Sequence, residues 1–305
     1  MINYIIRRVL WAIPVLLIIS LVTFSLAHVI PGGPFDKEKP LPAEIIANLE
    51  AYYGLDDPLW KQYTDYLWNA LHGDFGPSYS SRSRTVNDII NTHFPVSAQL
   101  GILAVIVAMV VGIPLGMISA LKQNTFIDYF CMFFALLGVS VPSMTLGPVL
   151  VWIFALKLHI LPVARWGTWQ QAILPAFTLG IGSAALLARL TRASMLQVIR
   201  EDYIRTARAK GVSEEKVTVH HALKNALIPV VTVIGPLFAA LVTGSLIVEQ
   251  IFAIPGCGKY FVTSVTNRDY PVVLGIMLLY ALLIIVANLI VDLTYSWIDP
   301  RIRYS

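Results

Sequence analysis

The sequence predicts an all-α integral membrane protein, and three observations support that. Hydrophobic residues make up 57% of the 305 residues and charged residues only 13%. Mean hydropathy is +0.71, and a soluble chain of this length would need far more charge to cover its surface. Apolar runs recur at 9–30, 95–121, 129–156, 172–188, 226–248 and 271–291, most reaching the roughly 20 residues that cross a hydrocarbon core. Each is expected to be a helix, because lipid offers no partner for the backbone of a lone strand. The expected architecture is six transmembrane helices.

The first run follows Arg7 and Arg8, as the apolar core of a signal peptide would. It continues to Ile30 and ends in Pro31-Gly32-Gly33 without a small-x-small cleavage pattern, so a retained first helix is expected. In the segment 31–94 that follows, Ile45, Ile46, Leu49, Tyr52 and Tyr53 fall at helical spacing between Pro42 and Gly54. Leu59, Trp60, Tyr63, Leu67 and Leu71 repeat the pattern between Pro58 and Gly73. Proline at the start and glycine just past the end are the expected helix boundaries. Two amphipathic helices rich in Trp and Tyr are expected to lie on the outer membrane face. They would serve as a lid over the bundle or as a seat for an external binding protein.

The second run contains Gly112-Ile113-Pro114-Leu115-Gly116, and the fourth contains Gly180, Gly182, Ser183, Ala184 and Ala185. Small residues at these spacings let helices approach closely in lipid, which places both runs inside the bundle. The expected organisation is a first helix with its external loop, 1–93, then a five-helix core, 94–298, interrupted by a charged loop at 189–225. A tail, 299–305, closes the chain.

Orientation follows from the basic residues. Arg7, Arg8, Lys122, Arg189, Arg192 and Arg200 share one side with Arg205, Arg208, Lys210, Lys216, Lys224, Arg301 and Arg303. The short loops opposite hold Lys157, Arg165, Lys259 and Arg268. The positive-inside rule puts both termini in the cytoplasm and 31–94 outside. The net charge of +4 reflects this bias and does not point to nucleic acid. Cys131 and Cys257 fall at opposite ends of the expected bundle, too far apart for a disulfide. No cysteine or histidine cluster suggests a metal site or a bound cofactor.

Several chemistries are disfavoured. Ion-coupled transporters carry ionisable groups at mid-membrane, whereas His28, Glu249 and Asp292 fall near the ends of the expected spans. The string Gly256-Cys257-Gly258-Lys259 resembles the end of a phosphate-binding loop, but position 253 is Ala and position 260 is Tyr. The motif needs Gly and Ser or Thr at those places, so a structural turn is expected there. No nucleophile elbow or HExxH pattern marks an enzyme. Ser140, Ser143, Thr178, Ser183, Thr243 and Ser245 are the polar candidates for a wet translocation path. Each is also able to bond its own helix backbone, the commoner arrangement.

The loop from Glu201 to Asn225, EDYIRTARAKGVSEEKVTVHHALKN, is the strongest candidate for a docking surface. Tyr203, Ile204, Ala207 and Gly211 recur at helical spacing, giving a short helix with a small-residue face that suits a partner groove. Thr206, Ala209 and the basic side chains of Arg205, Arg208 and Lys210 surround it, and Arg is suited to bidentate contact with carboxylates. Ser213 followed by Glu214 and Glu215 marks the cap and acidic first turn of the next helix.

This loop resembles the cytoplasmic motif of permease subunits in bacterial ABC importers, Glu-Ala-Ala, three residues, then Gly. Arg205-Thr206-Ala207 occupy the first three positions and Gly211 the Gly. Further strings resemble the peptide and nickel branch of that family: HGDFGPSY at 72–79, ALKQNT at 120–125, HALKNALIPV at 221–230, VEQIFAIPGCGKYF at 248–261, NRDYP at 267–271 and DPRIRY at 299–304. The form is closest to the B-type permease of oligopeptide and dipeptide importers.

The resemblance implies a type I ABC importer permease fold in a bacterial inner membrane, and a transport subunit rather than an enzyme. It implies a homologous second permease, two ABC ATPase subunits that hold ATP and Mg, and an extracytoplasmic peptide-binding protein. One ATPase would dock on 201–215, a coupling helix. Nickel-chelate or glutathione cargo is the alternative within the family, and an energy-independent channel the alternative outside it.

Overall fold

A computed structural model describes residues 2–29, 33–35, 42–81 and 83–298; the tail 299–305, with the DPRIRY string, lies outside them. Among the described residues the fold is helical, with a lone β-bridge between Pro77 and Thr85. The described residues divide by packing into two compact units, one within 1–96 and 255–285 and one within 97–254 and 286–298.

The helices run in the expected order. α1 spans Ile2–Val29, α2 Ala43–Tyr53, α3 Leu59–Leu71 and α4 Val86–Leu121. α5 covers Phe126–Ser140 and α6 Ser143–Leu150, which continues as a π-helical turn over Val151–Lys157. α7 spans Trp169–Val198, α8 Asp202–Ala209 and α9 Glu214–Lys216. A π-helical stretch, Val217–Leu223, leads into α10, Lys224–Ala226. α11 (Ile228–Gly244), α12 (Leu246–Ile251), α13 (Cys257–Thr266) and α14 (Tyr270–Ile298) complete the chain.

Four of the six expected spans are single helices, within α1, α4, α7 and α14. The other two are bent pairs: α5 with 143–157, at 104°, and 214–226 with α11, at 50°. The run 129–156 is therefore not one continuous helix. Pro142 precedes α6 in an extended conformation, φ −57 and ψ 141, and Val141 before it is extended at φ −96, ψ 114. Steric clash with the proline ring excludes the helical region for the preceding residue, so α5 must stop there.

In the unit built from 1–96 and 255–285, α2 and α3 start after Pro42 and Pro58, and Gly54 closes α2 at φ 67. α3 packs on α1: the Tyr63 hydroxyl lies 2.9 Å from Ser20 Oγ and donates to the Leu17 carbonyl at 3.2 Å. Trp60 and Trp68 stay exposed. The string Gly256–Lys259, expected as a turn, instead begins a helix, with Gly256 extended before Cys257. Val86, Ile89, Cys257, Val272 and Ile276 form the core of this unit. Two of the motif strings meet here. Asp269, 1% exposed, accepts hydrogen bonds from the Ser78 hydroxyl at 2.5 Å and from the Tyr79 and Ser80 amides at 3.0 Å each.

In the second unit, α4 and α7 touch backbone to backbone. A Cβ on Gly112 would lie 2.4 Å from the Ala184 carbonyl oxygen, and one on Gly116 2.3 Å from that of Ala188. α7 returns the contact through Gly180, where a Cβ would lie 2.4 Å from the Ala104 oxygen. The close approach expected from the small residues is met, and only hydrogen fits at these three positions. Ala135, Ala185 and Ala188 join α5 to α7.

An ion pair fastens the same helices. Arg192 of α7 donates from Nε and Nη2 to Asp128 of α5 at 2.9 and 2.7 Å. Asp128, 2% exposed, also accepts the Ser119 hydroxyl and, at 3.0 Å, the Asn124 amide. Glu249, expected near the end of a span, lies in the first turn of the short helix α12 and is 1% exposed. It accepts from Ser97 at 2.7 Å and Ser245 at 2.6 Å.

Two expectations follow for stability, read as the midpoint of thermal unfolding in detergent. Gly112→Val forces a side chain into a carbonyl and should cost at least the about 1–3 kcal/mol of an overpacked core. Gly182→Ala, whose Cβ would meet the Gly138 oxygen at an ordinary 3.5 Å, should be nearly neutral. Asp128→Asn should cost about 3–5 kcal/mol, because Arg192 loses its counter-charge. Adding Arg192→Gln should recover part of that loss, and a double-mutant cycle measures the coupling.

Candidate functional site

The segment 201–225 is an ordered, helical surface. Glu201, extended at φ −68 and ψ 149, precedes α8, and Asp202 supplies an acid in the first turn. Asp202 to Arg208 places a negative charge at the helix start and a positive one at its end, as the helix dipole favours.

Gly211 ends this helix for a backbone reason. Its φ is +77, its amide donates to the Arg208 carbonyl at 2.9 Å, and the Val212 amide donates to the Ala207 carbonyl at 3.2 Å. This is the Schellman pairing, which requires a left-handed residue just past the helix. A Cβ there would meet nothing within 4 Å, so glycine serves the chain reversal and not a close contact within the chain. Val212 then packs on the core beneath α8.

That core divides the expected docking residues into two groups. Ile204 and Ala207 are buried among Ala120, Met195, Val217 and Ala226. Ile204 and Ala207 of the expected stripe thus face this chain and not a partner groove, because the apolar side chains of a short helix are stabilised first by the nearest apolar surface. Tyr203, Arg205, Thr206, Arg208, Ala209, Lys210, Gly211 and Glu214 remain exposed.

Several of these exposed groups are held in place. Arg208 donates to Glu214 from Nε at 2.7 Å and Nη2 at 3.2 Å, closing the turn between α8 and α9. The Tyr203 hydroxyl accepts Asn225 Nδ2 at 2.7 Å. Arg205 reaches Asp202 only at 3.5 Å, and that pair is largely exposed. Ser213 sits at the N-cap of α9 as expected, but its side chain makes no cap bond. The outward face therefore offers Arg205, Thr206, Ala209 and Lys210, a basic patch on a helix whose other side is anchored.

Three of the six polar path candidates bond their own helix. The hydroxyls of Ser140 and Thr178 donate to the carbonyls of Leu136 at 2.9 Å and Leu174 at 2.7 Å. Thr243 donates to the Ala239 carbonyl at 3.0 Å, and the Ser245 hydroxyl, just past α11, lies 2.8 Å from that of Val242 while sharing its one hydrogen with Glu249. Ser143 and Ser183 are half-buried. The pairings that sequence reasoning missed are Asp128 with Arg192 and Ser97 with Glu249. Asp128 carried a signal, as an acid beside the apolar run that follows it. Its partner lies 64 positions away, beyond the reach of any local spacing rule.

Comparison with known proteins is consistent with this anatomy. A family described as binding-protein-dependent transport system inner membrane component matches residues 112–304, and its N-terminal counterpart matches 1–101. A dipeptide transport system permease protein of Bacillus subtilis is 47% identical over 304 residues, 99% of this chain and 98% of that one. An oligopeptide transport system permease protein of Salmonella typhimurium is 46% identical, with both chains fully covered. A glutathione transport system permease protein of Escherichia coli O1:K1 is 44% identical, again over both full lengths.

Among solved structures, an inward-facing methionine ABC transporter matches with a TM-score of 0.56 at 16% identity, over 69% of this chain and 96% of that one. An amino acid ABC transporter matches with a TM-score of 0.50 at 18% identity, over 70% and 94%. These likenesses show the type I importer permease fold. The chain belongs to the family of inner-membrane components of binding-protein-dependent transport systems.

Proposed function

We propose that this chain carries oligopeptides or dipeptides inward as one of two permease subunits of an ATP-driven ABC importer. The observation that carries this reading is full-length identity of 46–47% to oligopeptide and dipeptide permeases. A homologous second permease completes the path. Two cytosolic ATPase subunits, with their ATP and Mg, supply the energy, and an extracytoplasmic peptide-binding protein delivers cargo to the side of 31–94. Both termini lie in the cytoplasm, on the strength of the basic-residue bias. The working division is 1–93 and a core 94–298, with 201–215 as the coupling segment.

The docking proposal rests on the form of α8. Its buried face ties it to the chain, and its exposed face, around Arg205, Thr206, Ala209 and Lys210, is available to an acidic groove on an ATPase. Glutathione is a second cargo reading, favoured by the 44% identity to a glutathione permease. It is itself a tripeptide, so the two readings differ in side-chain tolerance more than in chemistry. Competition of glutathione against labelled trialanine in cells separates them: strong competition by glutathione alone favours the second.

The function is tested by copurification from the native membrane and by peptide uptake. Recovery of a second permease and P-loop ATPases is expected; a chain that emerges alone after crosslinking, with ATP-independent flux, supports the channel reading instead. The coupling surface has its own test. The pair Arg205→Glu with Lys210→Glu should lower peptide uptake and ATPase recovery about tenfold or more, as expected when charges at an interface are reversed. The amount of protein in the membrane should not change.

Gly211→Val places a β-branched residue at positive φ, at a cost of about 1–2 kcal/mol, and should impair uptake while the chain still inserts. Gly211→Asn, which tolerates the left-handed region, should retain uptake. Equal uptake by both variants would remove the helix terminus from the coupling mechanism.

A further inference from the structure

A cavity of about 180 Å³ lies within the unit built from 1–96 and 255–285, bordered by α1, α3, the segment 74–79 and the start of α14. It is close in size to a cavity that encloses a benzene ring, about 150 Å³. Its lining is graded. Asp65, Asn69 and Asp74 are exposed at its edge, while Phe24, Tyr270 and Leu274 are buried at its floor. None of the lining residues is Lys or Arg.

The floor is aromatic. Tyr53 and Tyr79 have ring centroids 4.7 Å apart, Tyr79 and Tyr270 6.3 Å, and Tyr270 and His28 4.9 Å. Aromatic rings grouped in this way can attract a cation through the ring quadrupole. Burial raises the hydroxyl pKa of Tyr66 and Tyr79 above the usual phenol range, so both remain neutral hydroxyls.

Two polar atoms in the lining have no partner. His28 Nδ1 lies 2.8 Å from the Phe24 carbonyl oxygen. A carbonyl only accepts, so Nδ1 is the donor, and in the neutral ring Nε2 carries a lone pair. Nε2 is buried and unbonded, as is the Tyr66 hydroxyl. Buried polar atoms are almost always bonded, and exceptions call for a cause. On the rim, Asp57 is paired with Lys61 at 2.9 Å, and Asp74 accepts the Gly76 amide at 2.9 Å. Asp65 has no ion pair among the described residues.

We propose that this cavity binds a primary ammonium group borne by a small organic cation. The carboxylates of Asp65 and Asp74 attract it at the rim, the tyrosine faces hold its charge, and His28 Nε2 and the Tyr66 hydroxyl accept its hydrogens. An ammonium group has three donors and no acceptor, which matches two orphan acceptors above a rim of carboxylates. A carboxylate ligand would meet like charge at the rim, and an alkane would leave both acceptors unbonded. The assignment rests on the cavity and not on the peptide reading.

The test uses the full chain in lipid nanodiscs and saturation-transfer NMR with butylammonium, butanol and butyrate as probes. Butylammonium is expected to bind, butyrate not to bind, and butanol to bind at least about tenfold more weakly, the size of a lost cation–π or charge-assisted bond. Tyr66→Phe and Asp65→Asn should each weaken butylammonium several-fold. Asp65 is exposed, so its variant carries the test even where Tyr66→Phe disturbs folding. Butanol binding as tightly as butylammonium, or butylammonium binding equally to wild type and to Asp65→Asn, overturns the proposal.

Trialanine and N-acetyl-trialanine identify the source of the amine. Displacement of butylammonium by trialanine alone assigns the site to the free terminus of a peptide, and displacement by neither assigns it to a free amine. Displacement by the acetylated form, which has no ammonium, also overturns the proposal. Uptake measurements are separate from all of these, so loss of the peptide reading and loss of this site are distinguishable.

Discussion

Backbone contact between α4 and α7 is the constraint on which the second unit depends. In lipid no hydrophobic force drives helices together, so packing has to come from close van der Waals fit. Gly112 and Gly116 on one helix, and Gly180 on the other, bring carbonyl oxygens to within 2.3–2.4 Å of where a Cβ would stand. At that separation Cα–H groups face carbonyls across the interface, a weak attraction that recurs at close helix crossings. α7 is then fixed in place and serves as the common surface for α5, α6, α11 and α12, all of which it contacts. Without the glycines the remaining contacts would have to re-form at a larger helix spacing.

The segment proposed for coupling inherits this geometry. α7 ends at Val198 and α8 begins at Asp202, with Met195 of α7 and Ala120 of α4 in the same buried cluster as Ile204 and Ala207. Met195 and Ile204 are fully buried, and a close-packed cluster moves as a body because interiors resist compression. A partner that displaces the exposed face of α8 therefore also displaces the ends of α7 and α4. A loose basic loop would absorb the same displacement. Under the proposed docking, the buried and exposed sides of the helix have complementary tasks, and both are required if chemistry on another subunit is to move these spans.

Sequence patterning carried the helices and their boundaries far better than their faces. Pro42, Gly54 and Pro58 marked helix ends because their backbone preferences act locally and need no partner. Gly112 and Gly116 revealed a close approach because glycine in a long apolar run has few other uses. Ile204 and Ala207 were assigned to the wrong side, since periodicity identifies a stripe but not what covers it. Pro142 was passed over inside an apolar run whose composition suits one span, although its effect on Val141 is also local. Arg192 was counted only as an orienting charge. Its contact with Asp128 depends on how α5 packs on α7, and no spacing within either helix encodes that.

The buried carboxylates share one setting, and it argues for a structural role. Asp128 follows the turn between α4 and α5 and accepts the amide of Asn124, which has a φ of +60. Asp269 lies between α13 and α14 and accepts two amides of the irregular segment after Pro77. Glu249 receives the hydroxyl of Ser245, at the junction of α11 and α12. Each stands where helical hydrogen bonding is interrupted, and buried backbone polar groups need partners inside the protein. A carboxylate offers about four acceptor positions, so one side chain can satisfy several stranded donors. Proton- or sodium-coupled transport needs carboxylates that exchange partners through the cycle. Groups whose oxygens hold turns in place are poorly suited to that exchange. That leaves the energy for directional movement to come from outside the spans, as proposed for the surface of α8.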